Sequence, residues 1–223
     1  MTNAEIKKVL NMIEEMRFDK ATTFLKQQLL KNDCKENYNL TNLVKKIIFN
    51  KDLEKTRPSL ASIQITNGGT QSICNGYVGI KWKKYEKCLD TFPQNTINPL
   101  NLDNIFNNYK EYELKENDKI ILKNLKKVKD YLKNNITEKD NKKLLLYLFG
   151  KILDLNVIEE TLKIALYYNE ELKFYTDEEI LSSAINIENS HIKAVILPVK
   201  SSEKEMTRII ERTQMICDIL GEN

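Results

Sequence analysis

The sequence predicts an α+β fold, on three observations. Helical and strand-like periodicities alternate in two stretches, 41–84 and 143–200, and each supplies a helix followed by strands. Further amphipathic helices stand outside those stretches, two at the N-terminus and one at the C-terminus. Hydrophobic residues make up 41% of the 223 residues and charged residues 30%, enough apolar side chains to bury a core.

The elements follow in order. Ile6, Val9, Leu10, Ile13 and Met16 share one helical face over 4–16. Asp19 is placed to cap a second helix carrying Ala21, Phe24, Leu25 and Leu29, which makes 1–36 a helical hairpin. Asn37 to Asn39 reads as a linker. Thr41 to Asn50 reads as a short helix with Leu43, Val44, Ile47 and Ile48 inward, and Arg57-Pro58 breaks the chain after it. Leu60, Ile63 and Ile65 start a strand, and Asn67-Gly68-Gly69 is a turn. Gln71 to Trp82 reads as the returning strand, with a bend or bulge at Asn75-Gly76.

Residues 85–142 read as an insertion of loops around Pro93 and Pro99, with one clear helix from Lys119 to Asn134. Leu144 to Phe149 has strand length and Gly150 ends it. Asp154 or Asn156 caps the helix carrying Leu155, Ile158, Leu162, Ala165 and Leu166. Strands over 171–176, 180–187 and 191–199 follow, with Asn189-Ser190 as a hairpin turn and Pro198 marking a strand end. Ser202 and Glu205 form a capping box that opens the last helix, and Gly221 stops it. The expected organisation is a hairpin (1–36), an α+β domain (37–200) and a C-terminal helix (201–223), with the two helices of the middle domain packed on one face of an antiparallel sheet.

Composition bounds the function. Six Gly and four Pro exclude collagen and low-complexity linkers. The longest apolar run is far below a membrane span, and the polar N-terminus lacks the apolar segment of a signal peptide, so a cytoplasmic protein with no membrane partner is expected. Residues 1–150 carry 27 Lys and Arg against 18 Asp and Glu, whereas 151–223 carry 8 against 14. Such an asymmetry fits nucleic acid on one face. It also fits the Lys-rich habit of a low-GC genome, since only four basic residues are Arg.

No nucleotide, zincin or hydrolase motif occurs. Cys34, Cys74, Cys88 and Cys217 form no Cys-x-x-Cys pair, and the single histidine, His191, sits in a polar turn. Neighbouring pairs such as Glu159-Glu160 diverge on a helix and make no carboxylate dyad. The expectation is a binding protein, not an enzyme, with no cofactor and no metal. One helical surface stands out. The 119–134 helix bears lysines on its polar faces, among them Lys123, Lys126 and Lys127, which suit either phosphate contact or plain solvation.

Two stretches together resemble a known family. Arg57-Pro58 through Leu60, Ile63, Ile65 and Gly68, followed by Cys74-Asn75-Gly76-Tyr77, resembles the opening of a bacterial-type DNA sliding-clamp domain. Leu144 to Leu155, the helix at 156–168 and the ending Ala194-Val195-Ile196-Leu197-Pro198-Val199 are similar to the second half of such a domain, as in small clamp-like proteins of phages and mobile elements. Asn75 stands where the family usually has Asp. The resemblance covers about Thr41–Lys84 and Lys143–Lys200, and its motifs are strand patterns rather than chemical signatures. It implies a DNA-replication or maintenance factor whose helices face duplex DNA. Lys45, Lys46 and Lys163 are the implied phosphate contacts, and Glu159 and Glu160 oppose the last of them. One such domain encircles DNA only as a homo-oligomer. The competing reading is a protein-interaction module with a clamp-like core and no direct DNA contact.

Overall fold

A computed structural model describes residues 1–49, 60–100, 102–106, 109–135 and 144–221. The chain separates into two compact units, Met1–Leu102 and Asp103–Asn223, and each mixes helices with strands. Arg57, Pro58, Ser59 and Lys143 lie outside the described residues, as does the expected helix end at Asn50.

The first unit opens with α1 (Asn3–Glu14), held by a reciprocal cap. Thr2 N donates to Glu5 Oε2 at 2.7 Å, and Glu5 N donates to Thr2 Oγ1 at 3.3 Å. Met16, at φ 54°, turns the chain into α2 (Phe18–Asp33), so Asp19 falls in the first turn instead of at the cap. Val9, Ala21 and Phe24 form a small buried cluster between the two helices. The expected linker at Asn37–Asn39 is helical: α3 runs from Lys35 to Ile48 after a single extended residue, Cys34. Burial of Leu40, Val44, Ile47 and Ile48 outweighs the weak helix preference of the asparagines.

The strands of this unit are β1 (Ile63–Ile65), β2 (Gln71–Cys74), β3 (Val78–Trp82) and β4 (Gln94–Asn95), in the order β4-β1-β2-β3. Gly69, at φ 74°, permits the β1–β2 turn expected from the glycine pair. Asn75-Gly76 closes a second hairpin, not a bulge in one strand. Asn75 Oδ1 accepts from the backbone N–H groups of Tyr77 and Val78, both at 2.9 Å, and β2 and β3 pair antiparallel. The expected all-antiparallel sheet is corrected by β4, which pairs parallel with β1. Buried Gln64 secures that return: its Oε1 accepts from Asn95 Nδ2 at 2.9 Å and from Leu100 N at 3.2 Å. Helix α3 packs on β2, over a core that includes Ile63, Ile73, Ile80, Trp82 and Leu89.

In the second unit the expected 119–134 helix is two helices, α4 (Glu116–Lys123) and α5 (Leu125–Asn135). Asn124 separates them, its side-chain amide donating to Ile120 O at 2.9 Å. Strand β5 (Leu145–Leu148) pairs antiparallel with β6 (Lys151–Asp154). Phe149 and Gly150, at φ 55° and 74°, form the tight turn between them. Asp154 then caps α6 (Leu155–Ala165), accepting from Asn156 N at 2.9 Å.

Strands β7 (Lys173–Tyr175), β8 (Ile185–Glu188) and β9 (Ile192–Ile196) form an antiparallel ladder in the order β9-β8-β7. Residues 180–184, expected in a strand, are a turn held by Thr176 and Ser183: Thr176 Oγ1 donates to Ala184 O, and Ser183 Oγ to Asp177 O. Helix α6 packs on β6 and β9. Helix α7 (Glu203–Gly221) packs on β5 and α4, and Ser202 Oγ accepts from Glu205 N at its start. Gly221 is itself helical, the last described residue of the helix. Among the described residues, no helix is long and apolar enough to cross a membrane.

Candidate functional site

The lysines singled out above divide between the units. Lys45 and Lys46 lie on α3 of the first unit. Lys46 is exposed, but Lys45 is half-buried. Its Nζ donates to Gln27 Oε1 at 3.4 Å and lies 5.4 Å from the centre of the Phe24 ring. Burial, then the like charges of Lys8 and Lys20, pulls its pKa below the usual lysine value. That ammonium ties α3 to α2.

The other four are in the second unit. Lys123 ends α4, and Lys126 and Lys127 stand in the first turn of α5; all three are exposed and make no ion pair among the described residues. Lys163 differs. Glu159, one turn earlier on α6, bridges it to Lys129 on α5. Burial would raise the Glu159 pKa, but hydrogen bonds from Lys129 and Lys163 outweigh it and hold the carboxyl below the usual range. The i,i+4 half of this bridge was legible in the sequence; the Lys129 half was not. Lys163 shares the single negative charge of Glu159 with Lys129.

A groove that the sequence reading missed lies at the end of β9. It encloses about 480 Å³ and is walled by Tyr147 of β5, Ile152 of β6, Met206 of α7 and the segment Leu197 to Ser201. The Val199 N–H donates to Ile152 O at 2.8 Å, which fixes that segment beside β6. Leu145, Ile152 and Ile209 form a buried cluster, against which Tyr147, Val199 and Met206 pack. Leu197 and Leu181 remain 40% and 54% exposed at the opening. The Ser201 hydroxyl is buried and has no hydrogen-bond partner among the described residues, and Lys200 is exposed at the rim. The sequence predicts a last strand extending to Val199, whereas β9 ends at Ile196 and leaves Leu197 and Val199 beyond the ladder.

His191, Lys151, Cys88 and Cys217 are held by packing or hydrogen bonds. His191 is half-buried and not in an open turn: its ring stacks on Tyr168 with centroids 4.2 Å apart, and Nε2 is 3.4 Å from Glu170 Oε1. Buried Lys151 donates to Asp177 O at 2.7 Å, and burial lowers its pKa. Burial pushes the Cys88 thiol up to about 12 and the Cys217 thiol up to about 11, which leaves both protonated and unreactive near neutrality. Among the described residues, no group of three or more His, Cys, Asp or Glu is placed to hold a metal ion.

No protein-family model, no curated protein and no solved structure matches this chain.

Proposed function

We propose that this chain is a non-enzymatic, clamp-like accessory protein of DNA replication or maintenance, of the kind carried by phages and mobile elements, and that it works by holding a segment of a partner protein in the groove beside β9. The groove supports the partner-binding part of this reading. Ile152, Leu197, Val199 and Met206 offer an apolar seat, which water covers poorly and an apolar side chain covers well. Lys200, exposed at the rim, favours an acidic residue beside the apolar one. The occupant is therefore a short apolar segment with an acidic neighbour.

Peptide selection against the full chain tests this. Binders should share an apolar anchor next to an acidic residue, and Met206→Glu should abolish their binding. Peptides with no common pattern, or binding that survives M206E, would remove the proposal.

A second reading, direct phosphate contact, rests on the exposed lysines Lys123, Lys126 and Lys127, which make no ion pair among the described residues, with exposed Lys46 on the first unit. It predicts duplex binding that weakens steeply between about 50 and about 200 mM salt. Absence of binding at the lower salt removes it. Lys45 and Lys163 drop out of that contact set, one bonded to Gln27 and the other paired with Glu159.

A further inference from the structure

Helix α1 buries one side against α2, through Val9, and leaves a second apolar stripe uncovered. Ile6, Leu10 and Ile13 are 44%, 51% and 42% exposed, although their four- and three-residue spacing sets them in one row along the helix. The hairpin extends this surface on α2, where Leu25 and Leu29 are exposed and line a shallow depression with Thr2 and Glu5 of α1. A helix of about 18 Å with so little of its apolar surface covered is a poor end state in water.

The flanking charges say what covers it. Lys7 and Glu14 are seven residues apart, on the same edge of the stripe, and both are exposed with no ion-pair partner among the described residues. Leu10 lies close to their midpoint. When two copies of such a helix run antiparallel, like edges meet, so Lys7 of each faces Glu14 of the other. Within one residue of that register Ile6 lies opposite Ile13 and Leu10 opposite Leu10. A parallel pair has no such charge match, because the opposite edge of the stripe carries Thr2, Val9 and Met16. We propose that α1 pairs antiparallel with α1 of a second copy of this chain, giving a two-fold dimer centred on Leu10. The interface is isologous, so it closes at two copies.

Sedimentation equilibrium on the full chain tests the pairing. The wild type should dimerise, and Leu10→Glu should be monomeric with an unchanged circular dichroism spectrum, since Leu10 is half exposed. Lys7→Glu alone and Glu14→Lys alone should each weaken the dimer by about tenfold, because each sets like charges at both 7–14 pairs along the charged edge. An equimolar mixture of the K7E and E14K chains should regain wild-type affinity, because the mixed pair sets opposite charges at both 7–14 positions. A monomeric wild type at the highest attainable concentration, a dimer indifferent to L10E, or a mixture no tighter than its components would overturn the proposal. Leu10, Lys7 and Glu14 are remote in sequence from the β9 groove, so failure here leaves the groove reading intact.

Discussion

The ring of Phe149 stacks on that of Phe174, centroids 5.0 Å apart and 26° between planes. Phe149 is fully buried yet sits at φ 55°, a left-handed conformation that a side chain rarely adopts. Its packing against Phe174, with the edge of Tyr112 at 5.8 Å, offsets the backbone cost. That arrangement sets the β5–β6 turn, and β5 and β6 carry Tyr147 and Ile152 into the groove. Phe149→Ala should cost about 3–4 kcal/mol in urea unfolding. Gly150→Ala should cost about 1 kcal/mol, from its φ of 74° and not from crowding, since its nearest neighbour, Tyr147 Oη, is 4.0 Å from an added Cβ.

Asp118 is the second support of that turn. It is buried, and its carboxylate accepts from Tyr112 Oη at 2.8 Å, Lys115 N at 3.0 Å and Phe149 N at 3.0 Å. Asp118→Ala should destabilise the chain by about 3 kcal/mol, because it leaves two backbone donors and a hydroxyl unmatched. Tyr112→Phe should cost about 1 kcal/mol. Burial, then the hydrogen bond to Asp118, pushes the Tyr112 phenol far above its ordinary value of 10. A raised acid favours the folded state fully below that ordinary value and loses the contribution as pH rises above it. Spectrophotometric titration should show one tyrosine that ionises only as the protein unfolds in alkali, and Y112F should remove it.

The Glu159 bridge gives the opposite sign. Its folded pKa lies below the ordinary 4.5, so its stabilisation is present above that value and fades as pH falls through the folded one. Lys163 is nearly half exposed and solvent screens its half of the bridge, so Glu159→Gln should cost under about 1 kcal/mol at neutral pH. Below pH 4.5 the variant and the wild type should converge, as read by urea unfolding across the acid range. The same variant tests the phosphate-contact reading, because it frees Lys129 and Lys163 and should strengthen any duplex binding.

Thiol labelling should order the four cysteines. Cys34 is partly exposed, whereas Cys74, Cys88 and Cys217 are buried. A maleimide pulse on the native chain, read by mass spectrometry, should modify Cys34 first. The other three should react at a rate set by unfolding, so urea should accelerate them far more than Cys34.

What could be read from the sequence was what local chemistry decides. Asp154 caps α6, Ser202 caps α7 and the glycines after Asn67 close a hairpin, each through bonds to residues two to four positions away. Strand β6 was missed because it begins at Lys151, whose burial is made tolerable by a carbonyl 26 residues distant. The early start of α3 was missed because its asparagines yield to packing that lies elsewhere in the chain. Strand β4 was missed because a two-residue parallel pairing leaves no periodicity. The candidate lysines were visible as charges, but Gln27, Glu159 and Lys129 decide which are free, and only folding brings those groups together. The groove joins residues from β5, β6, α7 and the segment after β9, a combination that no sequence window spans.

Hydrogen exchange on the full chain, with and without the peptide selected as its tightest binder, tests the groove reading most directly. Protection should concentrate at Ile152, at Val199 to Ser201 and in the first turn of α7 around Met206, with α4 and α5 unchanged. Protection confined to the α4–α5 lysines or to α1, with the segment after β9 unaffected, would contradict it.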